Sequence, residues 1–223
     1  MKEFDIELES IKSKIKNCYE NLPKRVDPAN ISTIAKTPYK ATVYRECLFY
    51  RHTDLANTAH NLFSAGEYLP AFIITRSAME CTGMLFWAQK KMINAMRDKD
   101  LDEVDTFFKR ALVGERINDA LILSHNATTG IKHISKKVKH FTTMYDELSE
   151  YLHPNYSGTT YSYSQADYDN MWTDLGFFVT KLDPRKGSIA LEHSLILFEH
   201  FYNSFSDDFE GFVKFCENEL HQA

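Results

Sequence analysis

Glycine and proline are scarce, 8 and 6 in a chain of 223 residues. So few turn-formers leave few connections, and few connections mean long elements, which favours helices. The four cysteines, Cys18, Cys47, Cys81 and Cys216, stand far apart in sequence. That spacing excludes a CxxC metal or redox motif. Cys47 and Cys81 sit in apolar helical patterns and are expected to be small buried hydrophobes. GxGxxG, P-loop, HExxH and GxSxG motifs are all missing, so no cofactor is expected and no metal site. No stretch is apolar enough for a membrane span. The opening MKEFDIELESIKSKI alternates charge without an apolar centre, which predicts no signal peptide and a cytoplasmic protein. A net charge of −5 gives no global case for nucleic acid or an anionic membrane.

What is present is helical periodicity. Phe4, Leu8, Ile11, Ile15, Cys18 and Leu22 recur at helical spacing over residues 3–21. Prolines 23, 28 and 38 mark a loop. A second helix is expected over 39–64, closed by Gly66, and a third over 67–96. Between Glu67 and Lys90 the third carries charge at Arg76 and Glu80 alone. A short helix over 104–112 follows a charged corner at 97–103. Helix resumes over 115–139, broken at 126–130. The next helix runs over 138–153 and stops at His153-Pro154. Ser164-x-x-Asp167 reads as the cap of a further short helix through Trp172. The last helix covers 188–219. These readings define an all-α, single-domain bundle of six to eight helices over 1–223. Residues 1–38 form an N-terminal helix and loop, 39–160 the core, and 161–223 C-terminal helices packing on it. The third, histidine-bearing and last helices are expected to form the centre.

The helix over 138–153 carries a polar stripe. At 100° per residue, Phe141, Leu148 and Leu152 fall within about 40° and define its core face, with Tyr145 at the edge. Thr142, Asp146, Ser149 and His153 lie beside that face in an arc of about 60°. Half-desolvated groups seek partners. Arg76 and Glu80, four apart on one face of the third helix, share it with Phe72, Met84 and Trp87. Arg76 and Glu80 are therefore expected to form a buried pair and to meet Tyr145, Ser149 and His153. Two readings stay open. In one the set fixes helix packing. In the other His153 is a general acid/base and Arg76 holds a phosphate or oxyanion. Ser149 and His153 lack an acid fixed behind the histidine, so they are not a triad.

RSAMECTGMLFW (76–87), followed by YDELSEYLHPN (145–155), resembles the HEPN superfamily. The pattern is closest to uncharacterised helical proteins related to bacterial abortive infection. The resemblance covers residues 40–160. It implies a homodimer with paired histidine helices, and an RNA- or nucleotide-binding role in bacterial stress or phage defence. If the chain is an enzyme, it implies a metal-independent ribonuclease-like activity. HEPN nucleases place an arginine with four to six residues between it and the histidine. Those positions here are Leu148, Glu147 and Asp146. Arg76 would have to supply that cation from another helix.

Lys132, Lys136, Lys137 and Lys139 form a basic run that would suit an RNA backbone. Tyr156 and Tyr161, in a tyrosine-rich loop with Tyr163, would stack bases beside it. The competing reading is a solvated helix face and an ordinary loop. A non-catalytic protein-interaction module, with Arg76, Glu80 and His153 structural, is the alternative function.

Overall fold

A computed structural model describes residues 3–115, 121–178 and 181–222. Among them are eight α-helices and one small sheet. In chain order they are α1 (Glu3–Glu20), α2 (Lys36–Ser64), α3 (Tyr68–Asp98), α4 (Leu101–Val113), α5 (Ala127–Ile134), α6 (Lys139–Ser149), α7 (Thr160–Tyr163), β1 (Ser164–Asp167), β2 (Trp172–Leu175) and α8 (Pro184–Gln222). The fold is all-α, with β1 and β2 as an antiparallel hairpin. No helix of the described residues is long and apolar enough to cross a membrane.

The chain divides into two compact units. Unit 1 gathers Met1–Glu20, His52–Met79 and Ser135–Ile196; unit 2 gathers Asn21–Arg51, Glu80–Ile134 and Leu197–Ala223. The divisions fall inside α2, α3 and α8, so neither unit coincides with residues 39–160.

In unit 1, the stripe of α1 buries Ile11 and Ile15. Phe4 meets Phe63 and Tyr68 edge-on at 6.4 and 6.1 Å. Arg185, in the first turn of α8, pairs with Glu3 at 2.6 Å and Glu7 at 2.7 Å. Gly66 ends α2 with φ +80, the left-handed geometry glycine adopts without strain. Phe141 and Leu148 of α6 are buried, as the wheel reads, and Tyr145 with them, whereas Leu152, read onto the same face, lies beyond the helix end and is exposed.

Two expectations about unit 1 fail. First, α6 ends at Ser149 rather than running to His153. Asn155 organises the turn that replaces its last stretch: its amide donates to Glu150 (3.0 Å), and its side-chain oxygen accepts from Gly158 N–H (3.0 Å). Its carbonyl accepts from Thr159 N–H (3.0 Å). Second, residues 164–172 are not a capped helix. Asp167 instead caps a reversal, accepting from the N–H groups of Asp169 (3.0 Å) and Asn170 (3.1 Å). No apolar face of helical period exists there to bury, so the local turn bonds prevail.

Unit 2 is centred on aromatic side chains. Phe108, Phe198, Phe201, Phe205 and Phe212 are fully buried. Asp100 accepts from Glu103 N–H at 2.8 Å, so α4 begins at Leu101, inside the expected charged corner. The break expected at 126–130 is instead the start of α5. Asn126 accepts from Thr128 N–H at 3.1 Å, and Gly130 is used for close approach. A Cβ on Gly130 would lie 2.6 Å from the carbonyl carbon of Gly83, and one on Gly83 would lie 2.9 Å from that of Gly130. The helix expected over 115–125 is absent where it is described: Glu115 pairs with Leu123 in an isolated bridge, and Arg110 Nε donates to the Leu123 carbonyl at 2.8 Å; residues 116–120 of that expectation lie outside the described residues. Cys81 is buried, and burial pushes its thiol up to about 12, against the lowering effect of Arg51. Cys47 is exposed, contrary to expectation.

Candidate functional site

Unit 1 brings together three of the five residues expected to form the polar centre. The Arg76 guanidinium carbon lies 4.4 Å from the centroid of the Tyr145 ring. Arg76 Nε donates to Ser149 Oγ at 2.8 Å. The Ser149 hydroxyl donates onward to the Tyr145 carbonyl, also at 2.8 Å. Tyr145 and Ser149 are four apart on α6, so both face the Arg76 turn of α3. The result is a clamp of cation–π contact and hydrogen bonds between α3 and α6. Phe72, one helical turn before Arg76, extends it with an edge contact to Tyr151 at 5.1 Å. Thr142, also in the stripe, has a buried hydroxyl that makes no hydrogen bond.

His153 is exposed, in the turn beyond the end of α6. Glu80 follows Arg76 by one turn of α3, and its charge acts on the Cys81 thiol. Unit 2 holds a buried arginine–carboxylate pair of its own, at Arg45 and Glu46. Arg45 Nε donates to Glu46 Oε1 at 2.8 Å, and Tyr202 donates its hydroxyl to Glu46 Oε2 at 2.7 Å. The Arg45 guanidinium sits 4.5 Å over the Tyr202 ring. Burial raises the Tyr202 phenol well above its usual range; Arg45 opposes that and the bond to Glu46 adds to it. Adjacent charges on a helix give no periodic signal that one is buried, so nothing in the pattern pointed to Arg45 and Glu46.

The basic run is exposed at Lys132, Lys136, Lys137 and Lys139. Lys132 falls in unit 2 and the other three in unit 1. The Tyr156 and Tyr161 rings meet at 5.8 Å. Tyr156 is exposed, whereas Tyr161 is half-buried and donates its hydroxyl to the Lys181 carbonyl at 2.9 Å.

Unit 2 also contains a cavity of about 450 Å³, whose lining includes Trp87, Lys91, Glu103, Phe107, Arg110 and His125. His125 stacks on Phe107 at 4.4 Å and meets Trp87 edge-on at 4.9 Å. Its Nε2 bonds to the Phe107 carbonyl at 2.9 Å, which assigns the proton to that nitrogen. Burial lowers the His125 pKa and the carbonyl bond partly restores it. At neutral pH this is a neutral imidazole in an aromatic wall. The size lies within the range of small-molecule pockets. Sequence reading missed it because its lining comes from α3, α4 and the segment before α5, with no motif in any one of them.

No family model, no curated protein and no solved structure matches the chain.

Proposed function

We propose that this chain is a non-catalytic protein-interaction module with a HEPN-like helical plan, in which Arg76 and its partners hold the fold together. The observation that carries this reading is the disposition of Arg76 and His153. Arg76 engages Tyr145 and Ser149 within unit 1, while His153 stands exposed beyond α6. A general base must reach the proton it abstracts, and an oxyanion stabiliser must face the reacting atom. An arginine stacked on a tyrosine and bonded to a serine is placed for packing. The positions at which the resemblance calls for an arginine, Asp146, Glu147 and Leu148, supply no substitute. A role in bacterial stress or phage defence, and a homodimer, come with the resemblance and belong to this proposal.

The test is incubation of the purified chain with a mixed RNA pool, beside Arg76→Ala and His153→Ala. The reading expects no cleavage by any of the three and a lower melting temperature for Arg76→Ala. Cleavage by the wild type that falls by roughly 10²–10⁴ in the variants would make the set catalytic instead.

One observation favours a second reading, a nucleotide ligand. The unit 2 cavity combines Trp87, Phe107 and His125 with Lys91 and Arg110, which suits a stacked base and a phosphate. Glu103 and Asp102 on the same lining oppose a polyanion. Quenching of Trp87 fluorescence by ATP in a Trp172→Phe background would support this second reading; an unchanged spectrum at millimolar ATP would remove it.

A further inference from the structure

The β1–β2 hairpin of unit 1 carries five large apolar side chains in solvent between positions 168 and 177. Tyr168, Met171, Leu175 and Phe177 are each more than four-fifths exposed, and Trp172 is 58% exposed. A lone two-stranded ribbon is marginal in water, and this many large apolar side chains left in solvent on one hairpin point to an interaction surface.

The backbone says which edge is open. Gly176 N–H donates to the Tyr163 carbonyl at 3.0 Å, and the register continues through Gln165 opposite Asp174 and Asp167 opposite Trp172. Hydrogen-bonded pairs alternate along an antiparallel ladder. The bonded pairs are therefore 163/176, 165/174 and 167/172, and Thr173 and Leu175 turn their N–H and C=O groups away from β1. On the outer side of β1, the Lys181 ammonium already occupies the Ser164 carbonyl. The longer open edge is that of β2, with Thr173 and Leu175 facing outward against Ala166 alone on β1.

Charge narrows the occupant. Residues 164–178 contain Asp167, Asp169 and Asp174 and no lysine or arginine. Strand alternation puts Trp172 and Asp174 on one face and Thr173 and Leu175 on the other. A nucleic acid or anionic membrane meets repulsion here. A second copy paired edge to edge by a two-fold axis would set one acidic ribbon against another. Beside the base of the hairpin, a cavity of about 80 Å³ is lined by residues including Leu69, Tyr163, Phe177, Phe178 and Leu182.

We propose that the edge of β2 takes an extended, basic segment of another protein by strand addition. A lysine or arginine of that segment lies over Trp172 beside Asp174. An apolar side chain on the opposite face packs against Leu175 and Phe177, toward the small cavity. Main-chain bonds to Thr173 and Leu175 supply affinity, and the alternation of charge and apolar groups supplies specificity. This inference rests on the interaction-module reading above.

The experiment is selection of a randomised peptide library on the purified full chain, followed by fluorescence anisotropy with a labelled enriched peptide. Enriched peptides are expected to alternate basic and apolar residues. Thr173→Pro removes an outward N–H without breaking a bond inside the hairpin. It should weaken binding roughly tenfold or more, as should Asp174→Lys, while Thr173→Val retains binding. Unchanged circular dichroism and melting temperature establish that the variants remain folded. Enriched peptides that bind both hairpin variants as well as wild type would overturn the β2 site and leave the module reading standing. An absence of enrichment would count against both. Wild-type dimerisation that Thr173→Pro abolishes would overturn the proposal in favour of a second copy.

Discussion

Each unit stacks an arginine over a tyrosine, and the two anchors differ. In unit 2, Arg45 lies 4.5 Å over Tyr202 and is held by the buried Glu46. In unit 1, Arg76 lies 4.4 Å over Tyr145 and bonds through Nε to the hydroxyl of Ser149. The carboxylate lowers the electrostatic cost of taking Arg45 out of water, and both depend on one another for it. Ser149 is a neutral acceptor, so the loss of that one bond is milder. Unit 1 also buries a neutral polar pair: fully buried His52 and Ser194 share a hydrogen bond at 3.0 Å. The lesson is that one packing motif, arginine on tyrosine, carries different energetic stakes according to its anchor.

The largest expected effect comes from breaking the ionic anchor. Glu46→Ala leaves Arg45 without its carboxylate and Tyr202 without its acceptor. Urea unfolding should show a loss of about 3–5 kcal/mol. A loss under about 1 kcal/mol would mean that Glu46 is not needed to neutralise Arg45.

Acid should act next, and through unit 1. Burial lowers the His52 pKa to about 3, from an ordinary value of 6.5. The unfolded chain therefore takes up this proton first as pH falls below 6.5. The stability contributed by neutral His52 is complete above that value and is lost progressively toward pH 3, by ~3 kcal/mol at pH 4. A His52→Gln variant, which keeps an amide near Ser194, should flatten the fall in stability between pH 6.5 and 4 relative to wild type. Parallel curves for the two proteins would contradict the assignment.

The smallest effects sharpen the contrast within α6. Ser149→Ala removes the acceptor of Arg76 Nε and should lower stability by about 1–2 kcal/mol. Thr142→Val replaces a buried hydroxyl that makes no hydrogen bond. It should leave stability unchanged or raise it by up to ~1 kcal/mol. Equal losses from both substitutions would mean that the wheel position matters and the hydrogen bond does not.

Much of this was legible before any coordinates. The apolar stripe of α1, the glycine stop after α2, the burial of Phe141 and Leu148 in α6 and the meeting of Arg76 with Tyr145 and Ser149 all follow from helical spacing. What was illegible has physical causes. The end of α6 depends on side-chain bonds of Asn155, which compete with the helix and leave no periodic mark. The hairpin lacks a strand-length alternation and depends on the Asp167 turn. The burial of Glu46 depends on Tyr202, far away in sequence. Close approach of Gly83 to Gly130 turns an apparent helix breaker into the point where two elements touch.

The central claim, that Arg76 is a clamp between α3 and α6, is tested most directly by a double-mutant cycle. Wild type, Arg76→Ala, Tyr145→Leu and the double variant would be compared by urea unfolding. Residues in contact couple by roughly 0.5–3 kcal/mol, and a stacked arginine on a half-buried site should give a coupling near ~1 kcal/mol. Additivity within about 0.3 kcal/mol would contradict the clamp.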